Sequence, residues 1–260
     1  MHDYNAPART YWWIVAAIGY ALLAHALYRV AALPAASMGQ IAMATVLVAV
    51  VACFPVNLPG TRLSVAGGEI FIFLALFLFG AEAAVLIAVV EGVIGALRTS
   101  KRWTSWLGTP AMAAITISLS GYAFLAARSG LDRRGLLSGG AMLLLLTMFA
   151  IAYWALTNWL PSRLLALKRG ERLSLIAMYR ERSWMAVAHL GAAAIAANLY
   201  YAGVIIDVWL LAAALPAIVL LLSSAHYLVR LLDAERRAED NRRRTPETMI
   251  HNPRAEAADK

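Results

Sequence analysis

A chain of 260 residues that is 62% hydrophobic and 15% charged, with a mean hydropathy of +0.67, lacks the polar surface of a water-soluble domain. It reads as an all-α, polytopic membrane protein, because apolar windows near the roughly 20 residues of a helical span recur and the short alternating strands of a barrel do not. A formal charge of +8 would suggest nucleic acid for a soluble protein. Here the cations fall in loops and tail, where they report topology and contact with anionic lipid, so no nucleic-acid partner is expected.

The N-terminal tail, MHDYNAPART over residues 1–10, lacks the basic start and cleavage site of a secretory signal, and the first apolar run is expected to stay as a span. It runs from about Tyr11 to Leu33, opening on the interfacial aromatics Tyr11-Trp12-Trp13. A second span, about Met38 to Phe54, closes at Phe54-Pro55. The single cysteine, Cys53, excludes an intramolecular disulfide and reads as a small buried residue.

Two short apolar pieces follow, about Ile70 to Phe79 and Ala83 to Leu97, separated at Gly80-Ala81-Glu82. They are tilted spans, a hairpin, or one kinked helix. Beyond the basic loop of Arg98, Lys101 and Arg102, a span from about Leu107 to Ala127 carries Pro110 near its start. After a polar loop, Arg128 to Arg134, the next runs from about Leu136 to Leu160 and stops at Pro161. The basic stretch from Ser162 to Ser183 is expected along the cytoplasmic surface.

Spans from about Trp184 to Tyr201 and Ile205 to Val229 complete a bundle of about eight crossings, within a range of six to eight. The expected organisation is a tail over 1–10, a membrane domain over 11–229, a cytoplasmic exit helix over 230–244 and a disordered tail over 245–260. Arginine-rich loops place both termini in the cytoplasm, with the Arg128 to Arg134 loop as the external exception.

Ionisable groups at membrane depth are functional candidates. Glu91, inside its span, is the strongest, with Arg98 two turns on as a neighbour at the interface. Glu69 and Glu82 flank the first short piece, where helix-start carboxylates also occur for structural reasons. His189, Asn198, Trp154 and Asn158 complete the candidate ligand set, each also readable as an interhelical hydrogen bond or an interface anchor. His25, His189 and His226 form no i, i+4 pair and no HExxH is present, so neither a metal nor another cofactor is expected. Without a P-loop, GxSxG or dinucleotide fingerprint, the chain is expected not to be an enzyme.

The stretch FPVNLPGTRLSVAGGEIFIFLALFLFGAEAAVLIAVVEGVIGALR resembles the integral-membrane sensor domains that precede HD-GYP and GGDEF cyclic-di-GMP enzymes in bacteria. The shared residues are Phe54-Pro55-Val56, Leu58-Pro59, Ser64, Leu78-Phe79-Gly80 and Leu97-Arg98, with Ala81 where proline often follows the glycine. The resemblance implies an inner-membrane sensory module that receives a small ligand or a membrane state and transmits it through the C-terminal helix. No HD-GYP or GGDEF sequence is present, so the chain is a truncated piece, a remnant, or a subunit acting through a separate signalling enzyme or a homodimer. The glycine break with an acid in the following helix is also similar to the S components of ECF vitamin transporters, where the corresponding region lines a substrate cavity. That similarity implies solute capture, with Glu91 as the acid.

Overall fold

The computed structural model describes residues 4–53, 56–57, 64–65, 68–181 and 183–205. Phe54, Pro55, Leu58, Pro59 and His226 lie outside them, as do the last expected span beyond Ile205, the exit helix and the tail. Contacts divide the chain into two units, Met1–Cys53 with Gly67–Ala213, and Phe54–Ala66 with Ala214–Lys260. The described part of the second is a short antiparallel ladder of β1 (Val56–Asn57) and β2 (Ser64–Val65), pairing Val56 with Val65 and Asn57 with Ser64.

The first unit is helical: α1 (Ala6–Ala31), α2 (Ala35–Ala52), α3 (Glu69–Phe79), α4 (Ala81–Thr99), α5 (Trp103–Arg133), α6 (Gly139–Arg169), α7 (Leu175–Glu181) and α8 (Ser183–Ile205). Asn5 starts α1 by accepting the Ala8 amide at 3.0 Å, with proline in the first turn. Leu33-Pro34 separates α1 from α2, as the sequence suggests. Among the described residues four helices, α1, α2, α5 and α6, are long and apolar enough to cross a membrane. α4 has 19 residues but carries Glu82, Glu91 and Arg98, and α3 has only 11. Large apolar side chains such as Tyr28, Leu143, Leu144, Met148 and Val187 are exposed. In water such a surface would drive association, and against lipid tails it carries no penalty.

The long helices overrun two expected boundaries. α5 starts at Trp103 and ends at Arg133, so Pro110 lies inside it and the expected polar loop from Arg128 is its last turn. α6 continues through Pro161 to Arg169 and ends at Gly170, whose φ of 67° is left-handed. A proline removes one backbone donor and disturbs one turn, and tertiary packing holds the helix on either side. The Tyr11 hydroxyl, for example, donates to the Leu160 carbonyl at 3.1 Å. The expected surface stretch from Ser162 is therefore divided among the end of α6, a short link and α7.

Contacts along the helices define two ends. At one end Asn5 Nδ2 donates to Leu167 O at 2.6 Å, Trp12 Nε1 donates to Thr104 O at 3.0 Å, and Arg98 donates to Ala52 O. That end collects the start of α1, the ends of α2, α4 and α6, and the start of α5. The other joins the end of α1 to the start of α4, where Arg29 Nε lies 3.6 Å from Glu82 Oε1.

α3 sits in the core. Phe71, Ile72, Phe73, Ala75, Leu76 and Phe77 are all buried, and the stripe of Ile70, Leu74 and Leu78, at helical spacing on one face, is partly exposed. Phe73 meets Phe149 and Tyr153 edge-on, each at 4.9 Å between ring centroids, and such pairs contribute about 0.5–1.5 kcal/mol each. Glycines allow the tightest helix crossings. A Cβ on Gly19 would fall 2.6 Å from Ala111 Cα, and one on Gly92 would fall 3.1 Å from Pro110 Cα.

Candidate functional site

One residue separates α3 from α4. Gly80 has φ 93° and ψ −179°, a conformation essentially confined to glycine. Its N–H closes α3 on Leu76 O at 3.1 Å, and its carbonyl accepts the Ala84 amide at 3.3 Å to open α4. Of the three arrangements open to the sequence, the structure shows the hairpin. The Glu91 carboxylate lies against Gly68, at the start of α3, so tightly that a side chain there would collide with it. Gly68 and Glu91 stand almost equally far from Gly80 in sequence, so contact between them means that the two helices fold back on each other.

The hairpin starts in the middle of the bundle. α4 runs the whole way from the Arg29–Glu82 pair to the Arg98–Ala52 contact, and Glu91 is near its midpoint. Glu69, beside it, therefore begins α3 at mid-depth. α8 runs alongside α3 in the same direction, with His189 at the level of Glu69 and Tyr200 at the level of Phe77.

A polar cluster forms where these helices meet α6. His189 Nδ1 is 2.6 Å from the Met185 carbonyl, and because a carbonyl only accepts, Nδ1 carries a hydrogen. Nε2 then faces Glu69 Oε1 at 3.1 Å, an ion-pair distance off the line of a well-formed hydrogen bond. The Tyr153 ring lies 5.3 Å from the His189 ring, and its hydroxyl is within electrostatic reach of Glu69 and Glu91. Thr157 Oγ1, one turn along α6, lies beside the Tyr153 hydroxyl without a hydrogen bond of good geometry. Glu91 Oε1 is fully buried and has no hydrogen-bond partner among the described residues.

Of the expected site residues, the structure brings together Glu69, Glu91 and His189. Glu82 sits at the far end of α4, paired with Arg29 and within hydrogen-bonding reach of the Tyr122 hydroxyl. Arg98 caps the carbonyl end of α2 and does not turn to Glu91. Asn198 is turned back on its own helix, donating to Ala194 O at 2.8 Å. Trp154 packs on Tyr179, with ring centroids 4.9 Å apart, and buried Asn158 donates to Trp154 O at 2.8 Å. Sequence reasoning missed Tyr153, Thr157 and Gly68. Tyr153 and Thr157 stand one position before the chosen pair Trp154 and Asn158, about 100° round the helix, and only the direction of α3 selects between the two faces.

Among the described residues no cluster of three or more His, Cys, Asp and Glu is arranged to hold a metal. Fold and site together define a helical bundle of membrane-protein character with an acid–histidine–tyrosine cluster in its core. Compared with known proteins, no family model, no curated protein and no solved structure matches the chain.

Proposed function

We propose that the chain is a non-catalytic sensory module of the bacterial inner membrane, and that a small polar ligand binds the cluster of Glu69, Glu91, Tyr153 and His189. The observation that carries this reading is the unpartnered Glu91 oxygen at mid-depth. A buried carboxylate oxygen left without a partner costs about 1–3 kcal/mol, more for a charged group, and an ionisable residue inside a membrane bundle is a functional candidate by default. A ligand that satisfies it stabilises one packing of α3 against α4 and α8. Because α8 leads toward the C-terminal residues, that preference is passed along the chain as a shift between two packings.

The arginines favour an orientation with the end holding Asn5, Arg98 to Arg102 and Leu167 to Arg172 in the cytoplasm. In it, α3 enters only half the bilayer, and crossings beyond the four long helices come from α4, α8 and the residues after it. The output then passes through the stretch from 230 to 244 to a cyclic-di-GMP enzyme on another chain or to a homodimer partner.

Native mass spectrometry of the full chain released from mild detergent tests the site. A small molecule should be retained by the wild type and lost from Glu91→Gln at unchanged helicity. Retention in both proteins contradicts the assignment.

A further inference from the structure

We propose that the ligand presents one ammonium group, and that Glu91 holds this group in exchange for a proton. The inference rests on the cluster being a binding site and concerns the charge of what binds.

It follows from counting charge. At 3.1 Å a bare Nε2 and a carboxylate oxygen would set two lone pairs against each other, so one proton belongs to the pair of His189 and Glu69, which then has no net charge whether the proton sits on nitrogen or oxygen, because Nδ1 is committed to the Met185 carbonyl. Among the described residues, Glu91 is then the acid of the cluster left without a counter-charge. The cations on neighbouring elements are engaged elsewhere, Arg98 at Ala52 O and Arg29 at Glu82. The titratable groups facing Glu91 are Glu69 from α3, Tyr153 from α6 and, behind Glu69, His189 from α8. α1, α2 and α5 bring no charge against it among the described residues. A site with one uncompensated negative charge is completed by one positive charge.

The atoms left to be satisfied specify its form. Apart from His189 Nε2, which faces Glu69 Oε1 at 3.1 Å, those of the cluster are oxygens, Glu91 Oε1 and Thr157 Oγ1, and an ammonium carries three donors and no acceptor. Without the ligand, the group that neutralises Glu91 is a proton, and the two occupants exclude each other.

The test titrates the purified full chain in nanodiscs with methylammonium chloride, using sodium chloride and sodium acetate at matched ionic strength, and reads the thermal midpoint. Methylammonium should raise the midpoint saturably where the sodium salts do not, and its apparent affinity should fall by up to about tenfold per unit as pH is lowered. Glu91→Gln should weaken binding at least tenfold, and Glu91→Asp should retain part of it. If Glu91→Gln does not fold, the wild-type pH dependence decides. An equal response to sodium chloride, or an affinity independent of pH throughout, overturns the proposal. Glu91-dependent binding of acetate overturns the charge assignment while leaving the binding site in place. Binding that ignores Glu91 removes both.

Discussion

Gly80→Ala perturbs the turn that brings Glu69 to Glu91 and leaves its surroundings alone. A Cβ at this position meets nothing closer than Glu82 Oε2 at 3.4 Å, an ordinary contact, so the cost is in the backbone. A φ of 93° with ψ −179° costs a residue with a side chain about 1–3 kcal/mol. The stiffer unfolded chain returns about 0.4–1 kcal/mol, leaving a net loss of up to about 2.6 kcal/mol and about 1.3 kcal/mol at mid-range, roughly a tenfold fall in the folded ratio. A variant that escapes the strain by joining α3 and α4 into one helix would carry Glu69 about 33 Å from Glu91 at 1.5 Å per residue. Urea unfolding in mild detergent, followed by tryptophan fluorescence, measures the loss. Gly95→Ala is the control, because a Cβ there meets nothing within 4 Å and an interior helix alanine should be stabilising by up to about 1 kcal/mol. A Gly80→Ala protein as stable as the Gly95→Ala control would refute the hairpin.

Gly19→Ala places a methyl 2.6 Å from Ala111 Cα, where only backbone movement makes room, so α1 and α5 should separate at a cost of about 1–3 kcal/mol in the same unfolding assay. Arg29→Ala should change stability by no more than about 1 kcal/mol, because the Arg29 side chain is 62% exposed and its pair with Glu82 is screened. In a Cys53→Ser background, a membrane-impermeant maleimide should label Leu136→Cys in intact cells and Lys101→Cys only after permeabilisation, both positions being exposed. The opposite pattern reverses the proposed orientation.

The helices were legible where hydropathy and punctuation agree. Leu33-Pro34 and Gly80 mark real breaks, and α3 and α4 fall within two residues of their expected limits. Pro110 and Pro161 misled because a proline inside a long packed helix disturbs one turn only. Glu69, Glu91 and His189 were recognisable singly as polar groups in apolar runs. Their convergence had one trace in the sequence, the near-equal spacing of Glu69 and Glu91 about Gly80, which matters only once the break is known to be a reversal. The partner face of α6 left no such trace, since Tyr153 and Trp154 are equally plausible wall residues until α3 is in place.

The hairpin sets Glu69 at mid-depth against His189. It is tested most directly by Glu69→Cys with His189→Cys in a Cys53→Ser background, treated in membranes with a short bifunctional thiol reagent and digested for mass spectrometry. An intramolecular cross-link between positions 69 and 189 is expected, and it is lost when Gly80→Val is added. Efficient modification of both cysteines without a cross-link between them would contradict it.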